Sequence, residues 1–173
     1  MKKKKRLFLV LGAVVVAGAA AAAVLLGRAR SSAAGGPVKS AQQASGDLVI
    51  QKSEVSSTPS FYPYEADGTK MEVLAVRAPD GSVRTAFNTC QVCYSSGRGY
   101  YRLEGDTLVC QNCGNRFTAD QVERQRGGCN PVGITREYKT ETDGTITMKK
   151  DFFEQTRQIF ANWKSKLLQT MMK

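Results

Sequence analysis

Residues 90–113 read CQVCYSSGRGYYRLEGDTLVCQNC, two Cys-x-x-Cys pairs with sixteen residues between Cys93 and Cys110. The intervening stretch has the pattern of a hairpin. Gly99 to Leu103 forms one arm, Glu104-Gly105-Asp106 the turn, and Thr107 to Cys110 the return. Each pair can curl around one ion and present two sulfurs, and the hairpin brings the pairs together. Gly114 suits the tight knuckle that follows Val109, where backbone N–H groups point at sulfur. Cys90, Cys93, Cys110 and Cys113 are therefore the candidate ligands of one four-thiolate site. Such a donor set fits tetrahedral zinc, a single iron or an iron–sulfur cluster. Two structural disulfides or a redox dithiol are the rival readings. Bonding within one Cys-x-x-Cys closes a very short loop and gains little, which favours metal.

A fifth cysteine, Cys129, lies in Gly127-Gly128-Cys129-Asn130-Pro131, a sequence suited to a sharp loop. It is a further candidate metal ligand, a free thiol near the metal, or a small buried residue in a tight turn. The chain has no histidine. That removes imidazole ligands and most general-base chemistry, and no other acid–base constellation stands out. A metal-binding or electron-transfer protein is expected rather than a stand-alone enzyme.

The formal charge is +10, of which Lys2 to Lys5 and Arg6 supply five, leaving a mildly basic remainder of +5. This is no nucleic-acid footprint. Behind the basic cluster, Leu7 to Gly27 is uncharged and long enough to span roughly 31 Å as a helix, about one bilayer core. The charge asymmetry directs the N-terminus to the cytoplasm and the rest outward. The apolar run exceeds the usual core of a signal peptide, so an uncleaved single-pass anchor in the cell membrane is expected rather than a cleaved leader.

The chain accordingly divides into a basic start and anchor (1–27), a flexible Ala/Gly/Ser/Gln-rich linker (28–47), a Cys-rich β domain (48–148) and a C-terminal amphipathic helix (149–173). Within the domain, Leu48 to Ile50 is a short apolar run. Met71 to Arg77 and Val83 to Phe87 form a hairpin around Pro79-Asp80-Gly81. A third hairpin pairs Ile134 to Tyr138 with Thr145 to Met148. Phe152, Thr156, Ile159, Phe160, Trp163, Leu167 and Met171 recur at helical steps, predicting one helix from about Asp151 to Met172. Its stripe either packs on the sheet or meets a partner or the membrane surface. Phe87, Tyr94, Tyr100 and Phe117 are candidates to shield the metal, core packing being their default role.

Across Phe61 to Ile134 the chain resembles the membrane iron–sulfur protein family called FtrD-like. The resemblance is carried by Phe61-Tyr62-Pro63-Tyr64, Asp67-Gly68, Asp80-Gly81, the Cys90/Cys93 pair, Gly99-Tyr100, Gly105-Asp106, Leu108 to Gly114, Arg116-Phe117 and Gly127 to Pro131. It implies a membrane-associated domain, an iron–sulfur or other metal centre, and electron transfer linked to iron uptake or another redox system. It also implies a membrane permease or redox partner protein, since many relatives carry several membrane spans before the domain. Leu108 to Phe117 is similar to the second ligand segment of Rieske domains, with Cys93 and Cys113 standing where histidines occur there. That likeness implies a mainly β, Rieske-like or rubredoxin-like metal-knuckle domain, with Cys129 in the loop covering the metal. The alternatives are a zinc-stapled binding module for a membrane partner and a thiol–disulfide redox protein.

Overall fold

A strand covered on both faces sends alternate side chains into two separate cores, and that is how the centre of this domain is built. The computed structural model describes residues 35–44 and 46–171. Strands β3 (Ser60–Ala66), β4 (Thr69–Arg77), β5 (Val83–Cys90) and β9 (Pro131–Gly133) form an antiparallel sheet in the order β3-β4-β5-β9. Every residue of β5 is buried. Val73, Ala75, Val83 and Phe87 enter one core; Leu74, Val76, Ala86 and Cys90 enter the other.

The first core is closed by a second sheet, in the order β1 (Gln42–Ala44), β2 (Asp47–Gln51), β11 (Thr145–Met148), β10 (Thr140–Glu141). It is also covered by the C-terminal segment, whose helix α1 (Lys150–Thr156) stacks Phe153 on Tyr64 at 3.8 Å between ring centres. Phe160 follows in a 3-10 turn and meets Phe87 edge-on at 5.4 Å. The second core is smaller. It lies under the three-stranded sheet of β6 (Tyr101–Glu104), β7 (Thr107–Cys110) and β8 (Arg116–Phe117).

The expectation of a mainly β domain with antiparallel hairpins holds. The hairpins β4–β5 and β6–β7 fall where turn chemistry places them. In the third hairpin the partner of β11 is Thr140–Glu141, not Ile134 to Tyr138. Ile134 is instead drawn to β5, its N–H donating to the Thr85 carbonyl at 2.9 Å. Of the stretch read as a linker, Val38 bridges Phe61 and Gln42–Ala44 pairs with β2.

The single C-terminal helix expected over Asp151 to Met172 is broken. Trp163 donates its indole N–H to the Asn88 carbonyl at 2.7 Å, Lys164 adopts a left-handed φ of 53°, and a separate helix α2 (Lys166–Met171) follows. The apolar segment 7–27 lies outside the described residues. Among the described residues no helix is long and apolar enough to cross a membrane.

Because Phe153 is fully buried between Tyr64 and Phe87, Phe153→Ala is expected to cost about 3–5 kcal/mol. Chemical denaturation of the metal-loaded protein measures this, and a loss below about 1 kcal/mol would show that the segment contributes little to the core.

Candidate metal centre

Pleat parity sends Cys90, at the end of β5, into the smaller core on the same side as Ala86. A register irregularity between Phe87 and Cys90 lets the strand end there. The first knuckle then turns back on itself. The Cys93 N–H donates to the Cys90 sulfur at 3.2 Å, and the Cys90 N–H donates to the Gly99 carbonyl at 2.6 Å. Gly99 is obligatory at this point, since a β-carbon there would stand 2.2 Å from the Cys93 carbonyl oxygen.

The second knuckle begins at Cys110, at the end of β7. The N–H groups of Cys113 and Asn112 point at the Cys110 sulfur. Gly114, at φ 74°, donates to the Cys110 carbonyl at 2.9 Å. The sequence-based expectation of paired knuckles is met in both.

The loop carrying Cys129 is tied to both knuckles by side-chain amides. The Gln91 carbonyl oxygen accepts from Gly127 N–H and from Asn130 Nδ2, each at 3.1 Å. Asn115 Nδ2 donates to the Cys129 carbonyl, also at 3.1 Å. Behind the loop a buried ion pair fixes its approach. Lys139 Nζ meets Glu123 at 2.7 Å and Thr85 Oγ1 at 3.1 Å, and the same Glu123 oxygen accepts the Thr85 N–H at 3.0 Å. Lys139 also meets Glu141 at 3.3 Å, so a small charge network ties the approach of the loop to the strand.

The sulfurs of Cys90, Cys93, Cys110 and Cys129 thus lie within 4.8 Å of one another. Cys129 is 3.1 Å from Cys90 and 3.6 Å from Cys93. Cys90 and Cys110 are buried and Cys93 and Cys129 partly so. Cys113 is exposed. Its thiol still faces those of Cys129, Cys110 and Cys93 from the rim. All five cysteines singled out in the sequence therefore converge. What spacing alone did not reveal is that the tight quartet includes Cys129, with Cys113 outside it. The signal was present in Gln91, Asn115 and Asn130, whose amides hold the loop.

The thiols of the cluster act on one another, lowering Cys90 and Cys113 and raising Cys93, Cys110 and Cys129. Hydrogen bonding from Cys110, reinforced by Cys129 and the Cys93 N–H, holds the Cys90 thiol down to about 4. The same bond to Cys90, with burial, pushes Cys110 up. Burial pushes Cys129 up. Tyr101 supplies a second indication. Its hydroxyl is buried, has no nitrogen or oxygen partner among the described residues, and is directed at the Cys90 sulfur. Burial, with the bond to Cys90, pushes this phenol up, so it stays protonated and faces that sulfur as a donor. Phe117 packs edge-on against Tyr101 at 5.8 Å and closes the inner side. Phe87 belongs to the other core, and Tyr94 is exposed, so neither walls the cluster.

A β domain with two cysteine knuckles, a third cysteine-bearing loop and backbone N–H groups aimed at sulfur defines a thiolate metal-binding protein. The family of FtrD-like membrane iron–sulfur containing proteins matches residues 55–160, more than half of the chain, and the chain belongs to it. No curated protein matches the chain significantly. The donor set fits the group that the family's description carries: thiolates suit iron and iron–sulfur clusters, and the buried Tyr101 hydroxyl, directed at Cys90, is placed to donate to a metal-bound sulfur.

Gly99→Ala is expected to displace the first knuckle and strip the protein of metal, while Gly144→Ala, at a site with open space around it, leaves loading intact. Elemental analysis of the two purified variants decides. Full metal in the Gly99 variant would refute the close approach.

Proposed function

We propose that this chain is a membrane-anchored, extracytoplasmic electron-transfer protein whose cysteine centre holds iron, serving iron uptake or another redox system at the membrane. The observation that carries the reading is the convergence of Cys90, Cys93, Cys110 and Cys129 within 4.8 Å, beneath a donor hydroxyl and a buried wall. Iron bound to thiolates supplies a reversible one-electron change. The protein's own groups do the rest. Four cysteines bind, and the knuckle N–H groups donate to Cys90 and Cys110 and hold them in place. Phe117, Leu108 and Val122 exclude water from the inner side, and Tyr101 directs its hydroxyl at Cys90. Loading the centre releases thiol protons, so uptake tightens as pH rises.

In this reading Cys129 completes the quartet and Cys113 serves as the outer thiol. Cys110→Ser and Cys129→Ser should abolish visible absorption of the anaerobically reconstituted protein, whereas Cys113→Ser should retain most of it. A Cys113 variant that loses the centre, with a Cys129 variant that keeps it, would return the ligand set to the two Cys-x-x-Cys pairs.

Tyr101→Phe removes one donor to sulfur and is expected to lower the midpoint potential by tens of millivolts, leaving iron content unchanged. An unchanged potential in spectroelectrochemical titration would take Tyr101 out of the electronic role.

A second reading is favoured by the compactness of the quartet. A single tetrahedral ion with bonds of about 2.3 Å to sulfur sets its ligands ~3.8 Å apart, close to the observed separation of Cys93 and Cys129, 3.6 Å. A zinc ion there would make a stapled binding module without redox chemistry. Zinc alone in protein purified from iron-replete cells, with no colour under anaerobic handling, would establish it.

A further inference from the structure

The exposed side of the cysteine cluster has a composition of its own. The three segments that bring the cysteines, residues 90–98, 110–116 and 124–130, contain four arginines and no aspartate or glutamate. Two of these arginines are matched, Arg116 by Glu104 and Arg124 by Asp80. Arg98 donates to the Gln111 carbonyl at 2.9 Å, so it joins the two knuckles without meeting a carboxylate. Arg126 stands exposed and lines a cleft with Gln91 and Glu137, without an ion pair to any carboxylate among the described residues. Amid this collar sit Val92, 59% exposed, and Tyr94, 40% exposed. They are two of the four large apolar side chains left exposed among the described residues, and they flank the ligand Cys93. Cys113, the exposed cysteine, faces Cys93 and Cys129 from the rim of the cluster.

We infer that this tip is a docking surface for an acidic redox partner protein, with Val92 and Tyr94 as its apolar centre and Arg98 and Arg126 as its charged rim. The partner's nature rests on the electron-transfer reading above. A dry contact ringed by charge is how protein interfaces are built, and the rim's sign selects an acidic partner by steering its approach. The arginines are needed for a further reason. A divalent ion with four thiolates carries a net charge of about −2, which would repel an acidic partner unless offset nearby. Two arginines without carboxylate partners supply that offset. A protein partner is favoured over a small anion because a small anion has no use for Val92 and Tyr94.

The test uses the detergent-solubilised full chain loaded with zinc, observed by NMR. Two probes are added in turn: flavodoxin, an acidic electron-transfer protein, and hexacyanochromate(III), a small redox-inert paramagnetic anion. Flavodoxin should shift amides of residues 91–95, 111–115 and 126–128, with binding weakened about tenfold between low and physiological salt. The double variant Val92→Ser/Tyr94→Ser should weaken flavodoxin severalfold while leaving zinc content and hexacyanochromate broadening unchanged. Arg126→Glu should weaken both probes.

Shifts elsewhere, or none, overturn the inference. So does a Val92/Tyr94 variant that binds flavodoxin as well as the parent, since the collar would then be receiving anions rather than a protein face. Repeating the titration with iron-loaded protein separates the two proposals. Docking by a protein whose iron centre shows no reversible one-electron change in spectroelectrochemical titration overturns the function proposed above and supports the surface; a redox-active centre that flavodoxin does not seek does the reverse.

Discussion

Strand β5 is buried on both faces, and a strand can send its side chains only alternately to one core or the other. Cys90 is thereby committed to the side of Ala86, away from Phe87. A slip of one residue would carry its sulfur to the aromatic core of Tyr64, Phe87 and Phe153 and leave the other cysteines without it. The large core, formed with the C-terminal segment, holds the register. The small core, under β6 to β8, uses that register to collect sulfurs. Chemistry is thus delegated to the half of the domain with the least apolar surface of its own.

That division has an energetic side. The three-stranded sheet of β6 to β8 rests on Leu108, Tyr101, Phe117 and Val122, and among them lie Cys90 and Cys110. A cluster this small gains little from burial alone, and its interior hydroxyl, on Tyr101, faces a thiol sulfur, a weak acceptor. In the proposed centre a metal ion would supply both missing terms, cross-linking three chain segments and turning that sulfur into a thiolate, a stronger acceptor. Metal binding would then contribute directly to the folding of this half. The Lys139–Glu123 pair, with Thr85, holds the Cys129 loop against β5 by contacts that do not involve the cysteines.

The sequence was legible wherever local chemistry decided the outcome. The two hairpins were marked by Asp80-Gly81 and Gly105-Asp106, and the knuckles by their spacing and Gly114. Long-range partners decided the rest. Nothing in the distance from Cys113 to Cys129 indicates which of them joins the quartet. The answer comes from Gln91 and Asn115 reaching the Cys129 loop. Strand β3 was not marked as a strand, because Pro63 interrupts it; the proline is tolerated since β3 lies at the sheet edge. The C-terminal heptad-like pattern was read as one helix because periodicity carries no information about Asn88. The bond from Trp163 to that carbonyl accompanies the break.

That same bond has a consequence for observing the molecule. The chain contains one tryptophan, and its indole is fastened to a carbonyl two residues before Cys90, under the cation of Lys164 at 4.0 Å from the ring. Whatever tightens or loosens the end of β5 must alter the surroundings of this single fluorophore. The protein therefore carries, in this one indole, an intrinsic optical probe of the strand end that bears Cys90, legible without a label.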